Sequence, residues 1–204
     1  MRRTSPSPLP EASASSSPQG SRARFWAARL VLLVACASVV ATSQPTSDDV
    51  FSNEHVGETL RITTEAPRVT RRLVVRATAT KPPSKQAEGD LVVRAKARWT
   101  PADPSQTVNP WLKVVLTQGT NSTSGPSASA VLEPGGTASV EGSTMLFSSC
   151  NLQSDCVWTV DVTFEVQANA APGTVELDWT AQAGVRVVDT DDVPKGFSVS
   201  VSEP

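Results

Sequence analysis

The chain has 204 residues, 39% of them hydrophobic and 19% charged, which is the composition of a folded rather than a disordered polypeptide. Its formal charge of −2 is unevenly spread, because residues 1–43 hold five Arg and one Glu, leaving 13 basic and 19 acidic residues, a net of −6, from Gln44 onward. A mature part of that charge excludes the phosphate-neutralising surface of a nucleic-acid binder, and its length holds one sandwich-sized core but not two.

The chain opens with a leader. Arg2, Arg3, Arg22, Arg24 and Arg29 precede the twelve-residue apolar run Leu30–Ala41, after which come the small and polar residues Thr42, Ser43 and Gln44. Basic region, apolar stretch and small residues in that order predict a secretory signal, with Val39-Val40-Ala41 or Ala41-Thr42-Ser43 as the cleavage site. The expected destination is the periplasm, the cell surface or the extracellular space. Leu33-Val34-Ala35-Cys36 resembles the lipobox of bacterial lipoproteins, and that resemblance implies lipidation of Cys36 as an alternative to free secretion. Against it, six apolar residues separate Arg29 from Cys36, fewer than the roughly seven or more of an ordinary signal. An uncleaved anchor is the third option, although twelve apolar residues fall short of the about 20 that cross a bilayer. Contact with a membrane is thus expected only through the leader or a lipid. The Ser/Pro-rich tract Thr4–Ser21 reads as disordered.

The division expected is 1–43 for this tract and signal, 44–54 for a polar linker, and 55–204 for a folded domain. Strict period-two alternation marks half-buried strands. It predicts strands at Leu60–Thr63, Leu73–Ala79, Leu91–Trp99, Leu112–Thr117, Ala128–Leu132, Thr137–Val140, Val157–Gln167, Val175–Val187 and Phe197–Val201. Trp158, Val160, Val162, Phe164 and Val166 share one side of their segment, and Leu177, Trp179, Ala181, Ala183, Val185 and Val187 share one side of theirs. Turns are expected at Lys81-Pro82-Pro83, Pro101–Pro104, Gly119–Pro126, Pro134-Gly135-Gly136 and Pro194-Lys195-Gly196. The six residues Ala168–Gly173 suit a hairpin.

Eight or nine short strands and no helical period beyond the leader predict an all-β, two-sheet antiparallel sandwich, with a closed barrel as the alternative. The strand succession, Pro134-Gly135-Gly136 followed by Thr137-Ala138-Ser139-Val140, and the run Val157–Phe164 resemble immunoglobulin-like sandwiches of exported bacterial proteins. That resemblance implies a fold and assigns no functional residue.

Leu73-Val74-Val75-Arg76-Ala77 recurs as Leu91-Val92-Val93-Arg94-Ala95. A direct hairpin between the two copies would set Arg76 against Arg94, and like charges directly opposed destabilise an antiparallel pair. The two strands are therefore expected in different sheets, or flanked by the outward acids Asp161, Glu165, Glu176 and Asp178. Cys150 and Cys156 enclose five residues and read as a disulfide of an exported chain.

Reactive chemistry is hard to assemble. The single histidine, His55, precedes the expected domain core, and no nucleophile elbow, zinc-protease motif or phosphate loop occurs. A non-enzymatic module without a cofactor is expected, its partner a protein or a glycan. Two ligand sites remain as alternatives. Asp189, Asp191 and Asp192 would offer loop oxygens to calcium, although the glycine and distant glutamate of an EF-hand loop are missing. Trp111, on Lys113's side of its strand, is free to stack on a sugar, whereas Trp99, Trp158 and Trp179 lie on core phases.

Overall fold

The computed structural model describes residues 18–42, 45–119, 127–147, 150–168 and 171–204, and the chain divides into two units, Met1–Ser43 and Gln44–Pro204. The first unit holds α1 (Pro18–Thr42). Pro18–Ser21, the end of the tract expected to be disordered, forms its first turn, where proline is tolerated because those N–H groups lack an intrahelical acceptor. The rest of that tract lies outside the described residues. Phe25, Trp26 and Leu30–Val34 are exposed, and the Arg29 guanidinium sits 4.2 Å from the Phe25 ring centroid. No helix among the described residues is long and apolar enough to cross a membrane.

The second unit is built from strands: β1 (Val50–Phe51), β2 (His55–Val56), β3 (Leu60–Thr63), β4 (Arg68–Thr78), β5 (Gln86–Pro101), β6 (Trp111–Gln118), β7 (Ala128–Val131), β8 (Thr137–Met145), β9 (Cys150–Asn151), β10 (Cys156–Val166), β11 (Gly173–Val187) and β12 (Ser198–Ser202). One sheet runs β1–β11–β5–β8, with β2 and β3 continuing along β11 and β9 along β5; the other runs β12–β4–β10–β6–β7. Every strand pair is antiparallel, and the inner faces of both sheets form one core that contains Trp99, Trp158, Trp179 and Phe164. The fold is thus a two-sheet antiparallel β-sandwich, with twelve strands among the described residues rather than eight or nine. The additional ones are β1, β2 and β9, each of two residues.

The strand order differs from that of the immunoglobulin resemblance. With β1–β3 counted as one interrupted run and β9 and β12 set aside, the eight runs in chain order lie 1-8-3-6 in one sheet and 2-7-4-5 in the other. Immunoglobulin domains keep consecutive strands as neighbours in ABED and CFG sheets, whereas here the long strands alternate between sheets in the manner of a jelly roll. The expected hairpin at Ala168–Gly173 is accordingly a crossover, because β10 and β11 belong to opposite sheets. Alternation tells which side of a strand is buried; it is identical for a hairpin and a crossover.

Part of the expected linker is a sheet edge. Thr46 bridges Val188, Val50 pairs with Val185, His55 with Ala181 and Leu60 with Leu177, so the first run gains one residue on β11 at each step. Each gain is a β-bulge, and each reverses the side-chain phase. Ser47 and Ser52 are buried along this edge. Their N–H groups donate to the carbonyls of Val187 and Ala183, and their hydroxyls accept from the N–H groups of the same two residues, at 2.9 and 3.1 Å.

Cys150 and Cys156 form the expected disulfide, with Cα atoms 5.7 Å apart. It is local in sequence but not in space: Cys150 lies on β9 in one sheet and Cys156 on β10 in the other.

Candidate functional site

The outer face of the β11–β5–β8 sheet carries several depressions lined by described residues. Along β5 the outward residues are Glu88, Asp90, Val92, Arg94, Lys96 and Arg98, and β11 sets Arg186, Gly184, Gln182, Thr180, Asp178 and Glu176 against them. Acid thus meets base at both ends. Arg186 lies 3.8 Å from both Glu88 and Asp49, and Arg94 donates to Glu141 of β8 at 2.8 Å. Thr59 donates to Asp178 at 2.6 Å.

Between these charges a cross-sheet row reads Phe51, Gly184, Asp90, Met145. The Phe51 ring covers the bare backbone of Gly184, where a Cβ would stand 2.8 Å from it. A depression of about 220 Å³ opens beside it, over Asp49, Asp90, Val92 and Arg94. A second, of about 310 Å³, lies between Gly89, Met145, Phe147 and Arg186, and a third, of about 470 Å³, over Val56, Gly57, Lys96 and Thr180. Phe51, Val56, Met145 and Phe147 are all more than half exposed.

The other sheet turns outward a ladder of closed pairs: Arg68–Glu165 at 3.1 Å, Thr70–Thr163 at 2.9 Å, Arg72–Asp161 at 2.8 Å and Arg76–Asp155 at 3.2 Å. The hydrogen bond to Asp161, and then its charge, hold the Arg72 guanidinium above its ordinary pKa. Arg76 and Arg94 lie in different sheets, and the acids flank the cations as expected.

The ligand sites expected from sequence fare unevenly. Trp111 starts β6 on the expected outward side, but it is half-buried, with the exposed Val131 as its cross-strand neighbour. Asp189, Asp191 and Asp192 do not converge; no group of three metal-ligating side chains forms among the described residues. Backbone bonds organise that turn instead: the Asp189 N–H donates to Pro45, the Asp189 carbonyl accepts from the Lys85 ammonium, and the Asp192 N–H donates to the Thr190 hydroxyl. Cys36 is a free thiol on the exposed surface of α1. His55 is part of the sandwich, its ring 5.7 Å from that of Trp179 and its Nε2 3.8 Å from Glu203. Asn121-Ser122-Thr123, which has the pattern of an N-glycosylation acceptor, lies outside the described residues.

Sequence reasoning missed Phe51, Met145 and Phe147. Met145-Leu146-Phe147 did carry a signal, since alternation through three large apolar residues buries Leu146 and must expose its neighbours. Phe51 carried none, standing between two bulges.

No family model and no curated protein matches the chain. Among solved structures, the cryo-EM structure of broad bean stain virus aligns with 77% of this chain and 91% of that one, at 10% identity and a TM-score of 0.32. A likeness at that score carries no argument.

Proposed function

We propose that the chain is exported behind its leader and acts, at the cell envelope or beyond it, as a non-enzymatic β-sandwich that binds a protein partner. The observation that carries this reading is the outer face of the β11–β5–β8 sheet, where Phe51, Val56, Met145 and Phe147 stand exposed among shallow depressions rather than around a deep cleft. Small-molecule sites are enclosed and converge a few polar groups on one point, while partner surfaces are open and mix apolar with charged side chains. The packing of His55 against Trp179 supports a structural role for the chain's single histidine.

Mass spectrometry of the chain recovered from an expressing bacterium tests the export half. A mature N-terminus at Thr42 or Gln44 supports free secretion, a diacylglyceryl-modified Cys36 supports a lipid anchor, and an intact Met1 recovered from the cytoplasm overturns export. Cross-linking from residue 51 or 147 tests the binding half, with protein adducts expected at both.

A further inference from the structure

The sandwich has four sheet edges, and three of them are short or broken. The β1–β3 edge slips by one residue three times, β7 has four residues and β12 has five. The β8 edge is different: nine residues pair with β5 in unbroken register, from Met145 against Asp90 to Thr137 against Arg98. Just beyond it, Leu146 donates its N–H to the Gly89 carbonyl at 2.8 Å, which fixes the phase of the ladder. Residues 138, 140, 142 and 144 therefore bond to β5. Thr137, Ser139, Glu141, Ser143 and Met145 turn their N–H and C=O groups to the open side.

Among the described residues only one of these groups has a partner, the Met145 carbonyl, which accepts from the Thr144 hydroxyl at 3.3 Å. β8 carries no proline, lysine or bulge, and of the usual means of blunting such an edge it has one charge, Glu141. Its open ladder is chemically complementary to one thing, an extended polypeptide backbone. Charge narrows the choice further. The one charged side chain on β8 is Glu141, which accepts from Arg94 of β5 and is open to a second cation on its other side. On the inner side an added strand would lie beside Val140, Gly142 and Thr144, which are buried against the core, and so would need apolar side chains there.

We propose that the open edge of β8 takes up, by strand addition, an extended peptide segment with apolar side chains at its inward positions and a basic side chain beside Glu141. This rests on reading the chain as an interaction module and names the chemistry of its partner.

The probe is a nine-residue peptide alternating valine with threonine and carrying one lysine at its central outward position, mixed with the full chain, and the readout is amide hydrogen exchange. The Ser139, Glu141 and Ser143 amides should exchange freely alone and slow about tenfold or more when the peptide is bound. Ser139→Pro and Ser143→Pro remove open-side donors and keep every bond to β5, so they should weaken binding about tenfold in a folded protein. Glu141→Gln, which spares the backbone altogether, should weaken it several-fold and reduce its salt dependence. Absence of protection, equal binding by the proline variants, equal binding of the peptide with glutamate in place of its lysine, or protection that instead tracks dimerisation of the chain would each overturn the proposal. None of these results touches N-terminal processing or binding at another face, so the broader reading stands or falls separately.

Discussion

Ser47 and Ser52 supply with a hydroxyl what a bulged backbone cannot, an acceptor for the N–H of Val187 and of Ala183. Each hydroxyl also donates to the next carbonyl, Asp48 or Asn53, so its own polarity is satisfied inside the protein. Ser52→Ala would strand the buried Ala183 N–H, at a cost of about 1–2 kcal/mol. For a folded unit of this size the thermal midpoint should fall by roughly 2–8 °C, a shift that calorimetry resolves. Gly57 is constrained by contact rather than by charge: a Cβ there would lie 2.0 Å from the Trp179 indole, whose Nε1–H donates to Glu58 at 3.1 Å. Gly57→Ala should displace the ring, destabilise by about 1–3 kcal/mol or more, and move tryptophan emission to the red. Asp103 gives the acid side of the pH profile. The backbone N–H of Ser105, and then its hydroxyl, hold the Asp103 carboxyl below the ordinary value of 3.8. A depressed carboxylate stabilises its turn above the unfolded value and loses that contribution as the pH falls through the folded one. In a carbon-detected titration Ser105→Ala should raise the midpoint only part of the way to 3.8, because the amide, the larger cause, remains.

The disulfide shows how an element no longer than two residues can matter. β9 pairs with β5 through Ala87 and Gln86, the fully buried Cys156 opens β10 in the other sheet, and the Leu152 side chain between them is in the core. Replacing both cysteines with serine should cost about 2 kcal/mol, since the loop closed is short, and should speed exchange at the Leu152 N–H, which donates to Lys85. Denaturant midpoints and exchange rates of the two forms would show it. Such elements mark the limit of what the sequence reveals. β3, β10 and β11 were legible almost to the residue because unbroken alternation runs through them. β1 and β2 were not, because each bulge inverts the phase after two or three residues and the run looks merely polar. β8 was read only to Val140, because Gly142 and Thr144 complete its inner face with a missing side chain and a hydroxyl. Of the candidate site, Met145-Leu146-Phe147 was readable in principle. The open ladder of β8 was not, since an edge is a property of strand order.

Strand order also decides how the whole molecule comes together. Among the described residues every strand pair joins a member of β1–β6 to a member of β7–β12, so neither half holds a described sheet of its own. The charges follow the same division. Gln44–Gly119 carries 11 basic and 8 acidic residues, Ser127–Pro204 carries 2 and 11, and the cross-strand pairs Arg68–Glu165, Arg72–Asp161, Arg76–Asp155 and Arg94–Glu141 each take one member from either side. Because both sheets share one core, unfolding should be a single transition, coincident by far-ultraviolet dichroism and by emission of the buried Trp99, Trp158 and Trp179. Pairings so distant in sequence also make folding slow, as closure entropy is lost before contacts are gained. The sharpest consequence concerns the halves. Expressed apart, Gln44–Gly119 and Ser127–Pro204 should each lack a strand signal in circular dichroism, and on mixing they should recover it together, with nets of +3 and −9 drawing them to one another. Added salt screens that attraction and should slow the association. A strand signal from either half alone would mean that its strands find partners within that half, contrary to the interleaving seen in both sheets.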